Sequence, residues 1–287
     1  MRYGDKTAVD GLNLEIPRGV IAAVLGRNGA GKTTTLEVCE GFRRPQSGRV
    51  QVLGLDPFAD RAELMPRIGV MLQEGGAWGG ARATEMLRHI AALHRDPLPI
   101  DHLVERLWLE DCGRTPYRRL SGGQKQRLAL ALAIIGRPEL VFVDEPTAGM
   151  DVAARHRTWD LLKDLRADGV SVVLTTHYLE EAEQLADQVH ILDKGRLIAS
   201  GTPAELTASG TATLRLVTSA PLPELFADLG DLEVQRISDR SLVVTGPVTI
   251  STLAHVTAWC ADQGIEPVSL GIGRQDLEAV FLEATET

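Results

Sequence analysis

The sequence predicts an α/β protein in two parts: a mostly parallel sheet covered by helices, then a small α+β module. Three observations predict it. Short apolar runs, "VIAAVLG" (20–26), "LVFVD" (140–144) and "VSVVLTTH" (170–177), alternate with segments of helical periodicity. That is the pattern of buried parallel strands joined by crossover helices. The first run ends in a glycine-rich loop that opens a helix. Near "GTPAELTASGT" (201–211) the composition shifts, and the remainder reads β-α-β-β-α-β, the order of a split βαβ module.

In chain order, "VIAAVLG" is the first buried strand and helix-like sequence runs on from Lys32. "RVQVLG" (49–54) and "RIGVMLQ" (67–73) are expected as further strands. From Thr84 to about Arg137 the pattern is helical: "TEMLRHIAALH", "IDHLVERLWL", then the segment after Ser121. "VHILDKGRLIASG" (189–201) reads as a hairpin turning at Lys194-Gly195. In the last part "TATLRLVT", "LEVQRIS", "SLVVTG" and "IEPVSL" are strand-like. "LPELFADLG" (222–230), "TISTLAHVTAWCADQG" and "RQDLEAVFLEAT" are helical. The expected domains are residues 1–209, with a helical subdomain over about 75–138, and an accessory α+β domain over 210–287.

Composition narrows the function. A chain of 287 residues allows one large domain or two smaller ones. A net charge of −9 and a pI near 5.3 leave no basic footprint, so no nucleic-acid partner is expected. Cys39, Cys112 and Cys260 lack metal or redox spacing, which points to a reducing, cytosolic compartment. No run approaches the ~18 apolar residues of a spanning helix, and no charged-then-apolar leader opens the chain. Any membrane role is therefore expected to be peripheral.

The chemistry starts at "GRNGAGKTT" (26–34), which fits G-x-x-x-x-G-K-[ST] between a strand and a helix. Glycines let backbone N–H groups close around phosphate oxygens. Lys32 is placed to reach the β- and γ-phosphates, and Thr33 to hold Mg²⁺ through its hydroxyl. The strand "LVFVD" ends in Asp144, a second candidate for the metal. Glu145, next in sequence, is free to orient an attacking water or take its proton. A second glycine-rich helix start, "LSGGQ" (120–124), presents Ser121, Gly122 and Gly123 without any lysine. Its N–H groups also suit an anion.

Taken together, "GRNGAGKTT" and "LSGGQ" resemble the nucleotide-binding subunit of an ATP-binding cassette transporter, over about residues 1 to 205. The resemblance implies ATP and Mg²⁺, with Asn28, Gly29, Ala30, Gly31, Lys32, Thr33 and Thr34 around the phosphates. It implies that Tyr3 stacks on adenine and that Gln73 links Mg²⁺ and water to the membrane partner. Ser121, Gly122, Gly123 and Gln124 are its signature. Asp151 in "TAGMD" (147–151) communicates across a dimer, and His177 is the switch histidine at the γ-phosphate. It further implies a small antiparallel β subdomain and a homodimer of cassettes that sandwiches two ATP, each held by Lys32 of one copy and Ser121–Gly123 of the other. Two departures stand out. The strand that usually precedes the tyrosine is absent, so either the start is misassigned or the antiparallel sheet is short. Arg27 replaces a common proline where no phosphate contact is needed.

Two function classes follow. One is the ATPase subunit of a separate membrane permease; the other is a soluble cassette ATPase of translation or DNA repair. The soluble types usually carry two cassettes, a long coiled coil or zinc cysteines, and this chain has one cassette, no heptad run and no C-x-x-C. "TTHYLEEAEQLADQVHILDKGRLIASGTP" and "LEAVFLEAT" resemble the ABC-2 type, notably daunorubicin-resistance-like exporters of drugs or antibiotics. Cassettes for glycan, lipid, ion or haem-related cargo are similar. The 210–287 module is open to two roles, regulation or dimer contact. The remaining histidines show no metal pattern, and Trp108 and Trp159 are expected in the core. Trp78, in "EGGAWGGARAT", is either an interface anchor for the permease or folded back on the helical subdomain.

Overall fold

Strands buried on both faces must be covered by helices, because backbone pairing alone leaves both side-chain layers apolar. The structure, a computed structural model, describes residues 1–72, 78–208, 213–223, 232–273 and 277–285. The chain opens with a two-residue antiparallel pair, β1 (Arg2–Tyr3) and β2 (Lys6–Thr7). The strand β3 (Ile21–Gly26) leads into the helix α1 (Lys32–Cys39). Next come α2 (Arg61–Leu64) and β4 (Ile68–Met71). Three helices follow: α3 (Ala83–Ala91), α4 (Ile100–Arg106) and α5 (Gly122–Ile134). The chain then alternates through β5 (Leu140–Asp144), α6 (Val152–Ala167), β6 (Ser171–Thr176) and α7 (Leu179–Leu185). The hairpin β7 (Gln188–Asp193) and β8 (Arg196–Gly201) and the short α8 (Pro203–Ala208) come next.

The central sheet has the order β4-β5-β6-β3-β7-β8, parallel except for β8. Every residue of β3, β5 and β6 is buried. Val24, Leu36, Leu64, Ile68, Phe142 and Val173 pack on one side of it. The β7–β8 turn forms as expected, with Lys194 (φ 48°) and Gly195 (φ 80°) both left-handed, the geometry that matches hairpin twist. The expected strand at 49–54 does not form. Leu53 (φ 54°) and Gly54 (φ 86°) turn the chain there, leaving one isolated bridge between Val52 and Leu55. Trp159 is buried as expected, but Trp108 is 39% exposed, its indole covered by the Arg157 guanidinium at 4.4 Å.

Contact density divides the chain into residues Met1–Pro203 and Ala204–Thr287. The second unit holds β9 (Thr213–Thr218), β10 (Glu233–Ser238), β11 (Ser241–Thr245), α9 (Ile250–Asp262), β12 (Pro267–Gly273) and α10 (Leu277–Thr285). Its antiparallel sheet runs β10-β11-β9-β12. So β9 and β10 are parallel to each other with β11 between them, as a split βαβ unit requires. Leu214, Leu216, Leu242 and Val244 of the sheet pack with Val256 and Cys260 of α9. The helix expected over 222–230 lies mostly outside the described residues.

At the end of α1, Glu40 is only 3% exposed. Burial, then the nearby Asp144 and Glu37 charges, pushes its pKa up to about 8. The folded protein thus keeps a proton that the unfolded chain releases near 4.5. The stability this proton confers is complete below about 4.5 and declines as pH rises toward 8. Glu40→Gln does not titrate. In metal-free buffer it should gain on the wild type between those two pH values, by up to ~1.4 kcal/mol per pH unit. Urea denaturation across that range checks it; a difference independent of pH would show that Glu40 ionises normally.

Candidate active site

Parallel pairing brings three strand ends to one edge. Leu25 pairs with Thr176 and Asp144 with Thr175, so β3, β5 and β6 finish level. Gly26, Glu145 and His177 leave the sheet side by side, at the carboxyl edge where α/β proteins bind ligands.

The loop after β3 works because of Gly31. This residue caps α1 with φ 102°, a left-handed conformation that L side chains rarely adopt. A Cβ there would also lie 2.3 Å from the Ala8 carbonyl oxygen. The Lys32 side chain is buried and its Nζ donates to the carbonyls of Gly26 (2.6 Å) and Arg27 (3.4 Å). Burial lowers its pKa, while Glu145 and Asp144 work against that shift. A cavity of about 280 Å³ lies over this helix start, lined by Tyr3, Lys6, Ala8, Asn28, Gly29, Gly31, Lys32, Thr33, Thr34 and Glu145. Ala30 is buried. Tyr3 is half-exposed, with the Arg43 guanidinium over its ring at 5.3 Å.

Asp144 is buried beside Thr33, at the end of β5. One carboxylate oxygen accepts from Thr33 Oγ1 at 3.4 Å and the other from the Thr175 hydroxyl. Burial, then the Glu145 charge, raises its pKa against the pull of Thr175, Lys32 and Thr33. Beside it Glu145 stands at φ 49°, uncommon for a non-glycine residue and a form of strain that concentrates at functional sites. Its amide donates to the Thr175 carbonyl at 3.1 Å, and its Oε1 lies 3.0 Å from His177 Nδ1.

The second helix start is separate. Ser121, Gly122, Gly123, Gln124, Arg127 and Asp151 help line another cavity of about 280 Å³ that shares no residue with the first. Ser121 caps α5: its Oγ accepts from the Gln124 amide at 3.2 Å, and Gln124 Oε1 accepts from the Ser121 amide at 2.9 Å, a reciprocal capping box. Asp151 caps α6 through the Ala154 amide at 2.8 Å. Gly122 and Gly123 both have ordinary backbone angles. A Cβ at Gly122 would meet nothing within 4 Å, and one at Gly123 would make only ordinary contact with Met150, at Cγ (3.6 Å) and Cα (3.9 Å). Among the described residues, no close neighbour requires either position to be glycine.

Gln73 lies outside the described residues. Thr175 and Lys6 were missed in the sequence. The hydroxyl of "LTTH" sits at a strand end, one strand over from Asp144, and was a readable signal; Lys6 offered none. Among the described residues no cluster of His, Cys, Asp and Glu could by itself hold a metal ion.

Fold and site together define a P-loop ATPase. The profile of the ABC transporter family matches residues 9–148. The chain is 39% identical to the daunorubicin resistance ATP-binding protein DrrA3 of Streptomyces coeruleorubidus, over 99% of this chain and 93% of that protein. It is 41% identical to the Nod factor export ATP-binding protein I of Ralstonia nicotianae, over 71% of this chain and 65% of that protein. Among solved structures, the dimeric cassette MJ0796 in a post-hydrolysis state with ADP and Pi aligns with a TM-score of 0.64 and 25% identity, over 70% of this chain and 94% of that one. The chain belongs to the ATP-binding proteins of the ABC transporter family: it is a cassette ATPase that binds ATP.

Trp78 is 52% exposed, its indole edge-on to His89 at 4.9 Å between ring centres. Trp78→Ala should therefore cost the isolated chain no more than about 1 kcal/mol, well under the ~3–5 kcal/mol of a buried large-to-small change. Chemical denaturation measures it, and a loss in the larger range would place this tryptophan in the core.

Proposed function

We propose that this chain powers a separate membrane permease in the export of a drug or antibiotic, from the cytoplasmic face of a bacterial membrane. The relatives named for daunorubicin resistance and Nod factor export support the direction and the broad cargo class. Among the described residues no helix is long and apolar enough to cross a membrane. Trp78 and the neighbouring Gln73 are the proposed docking point for the permease. The domain boundary near 209 and a regulatory or dimer-contact role for the last module belong to the same proposal.

The working unit is a homodimer, and the two disjoint cavities carry that reading. Lys32 and its loop hold the triphosphate of one ATP, with adenine against Tyr3. Ser121, Gly122 and Gly123 of the second copy close over the γ-phosphate. The space at Gly122 and Gly123 supports this, because no close neighbour among the described residues requires glycine there. The dimeric state of the cassette MJ0796 supports it independently.

Mg²⁺ fits the Thr33 hydroxyl and the Asp144 carboxylate. They are hard oxygen donors 3.4 Å apart, and a cation would offset the burial of Asp144. When bound, it neutralises charge on the β- and γ-phosphates. The chain's own residues do the rest. Glu145 takes the proton of a water whose oxygen bonds to the γ-phosphorus as the bond to the β–γ bridging oxygen breaks. His177 orients Glu145 through Nδ1, which leaves Nε2 to face the γ-phosphate. Products are ADP and inorganic phosphate.

Glu145→Gln should retain ATP binding, since Lys32, Thr33 and Asp144 remain, and lose at least about 10²-fold in turnover. Phosphate release from the purified protein checks it, and near wild-type turnover would remove Glu145 from the reaction. Lys32→Ala should weaken ATP binding itself. Gly123→Asp has room in the monomer, so it should fold and bind ATP but neither dimerise nor hydrolyse. Mixing the last two variants gives a dimer with one doubly damaged site and one intact site. Recovered ATPase from that mixture supports action in trans, whereas normal ATP-dependent dimerisation by Gly123→Asp alone would rule the sandwich out.

A further inference from the structure

Glu181 has no part in the reading above, yet it is one of the least exposed carboxyl groups among the described residues. It lies on α7, four residues after His177. Its Oε1 accepts two hydrogen bonds, from Thr147 Oγ1 at 2.9 Å and from Trp159 Nε1 at 3.0 Å. Thr147 lies in the loop that runs from Glu145 to Asp151, and Trp159 sits on α6, the helix that Asp151 caps. One oxygen therefore ties down both this loop and the helix that the loop feeds.

The connections close a ring. His177 Nδ1 meets Glu145 Oε1 at 3.0 Å. Two residues on, Thr147 meets Glu181, and the first turn of α7 leads from Glu181 back to His177. Segment 145–147 is thus fastened to segment 177–181 at both ends. Of these two fastenings, the first is half-exposed at the histidine and the second is buried. Burying a carboxyl group is costly unless its oxygens meet hydrogen-bond donors. Thr176, next to His177, also acts on this carboxyl group as a hydrogen-bond donor; the bond to Trp159 joins α7 to α6, and the bond to Thr147 fastens the loop.

We propose that Glu181 is a positioning residue for ATP hydrolysis: through Thr147 it holds the Glu145–His177 pair and the Asp151 loop in one arrangement. The inference rests on the roles given above to Glu145 and His177. It predicts a defect in kcat with nucleotide affinity preserved, because no atom of Glu181 or Thr147 faces the cavity that holds ATP.

Four variants of the full chain test it: Thr147→Val, Glu181→Gln, Glu181→Ala and Trp159→Phe, each measured for ATP affinity, kcat and thermal stability. Thr147→Val keeps shape and removes only the hydroxyl. It should leave ATP affinity within about twofold and lower kcat about tenfold or more, toward the ~10²-fold that a ~1 Å misplacement costs. Glu181→Gln retains an oxygen that accepts from both donors and should stay within about threefold of wild type, while Glu181→Ala should match Thr147→Val in kcat. Adding Thr147→Val to Glu181→Ala should then lower kcat no further. Trp159→Phe should cost stability but leave kcat within about twofold. If Glu181→Ala fails to fold, Thr147→Val decides alone. Wild-type kcat in Thr147→Val would overturn the inference, as would kcat losses that merely follow each variant's loss of stability. Wild-type turnover in Glu145→Gln would instead bring down the assignment of Glu145, so the two failures are told apart.

Discussion

The level pairing of β3, β6 and β5 is the constraint on which the active edge depends. A one-residue slip would turn Asp144 to the opposite face of the sheet, because side chains alternate with period two. The pairing is protected by burial on both faces: every residue of the three strands is enclosed, so a slipped register would have to repack two apolar layers at once. Precision at the phosphate end is thereby inherited from packing at the centre of the sheet.

The cost of that arrangement appears in its charges. Lys32, Glu40, Asp144 and Glu181 all lie within the first unit with little solvent contact. Burial shifts each of them toward its neutral form, Lys32 downward and the three carboxyl groups upward. The charges of Lys32 and Asp144 each oppose part of the shift that burial imposes on the other. The charges that act on Glu40, those of Asp144 and Glu37, have the same sign as its own. An incoming triphosphate alters this balance, and that links nucleotide binding to the stability of the unit holding it.

Much of this was legible in the sequence, for identifiable reasons. The P-loop and "LVFVD" are local: spacing along the chain alone fixes a strand, a turn and a helix start. The β7–β8 turn was readable because Lys194-Gly195 is a two-residue turn with glycine in the second place. The missing strand at 49–54 misled because "RVQVLG" has the right side chains, while its fate was set by two left-handed residues, one of them a leucine. Trp108 was read as core from helical spacing, yet it lies at φ 47°, just past the end of α4, where the chain turns its ring outward toward Arg157. Glu181 carried no sequence signal at all. Its partners are 34 and 22 residues away, and only tertiary packing brings them to a single oxygen.

The capping box at Ser121 has a further consequence for evolution and engineering. The hydroxyl of Ser121 accepts a hydrogen bond to close its own helix and still has its proton left to donate outward. Asp or Asn would cap the helix about as well, so selection for folding alone treats the three residues as nearly equivalent. They are not equivalent toward an anion: aspartate repels it, and the asparagine amide is shaped differently. If Ser121 meets the nucleotide as proposed above, a library of this chain sorted by thermal resistance or expression would accept such replacements and lose the ATPase without any sign of damage in the fold.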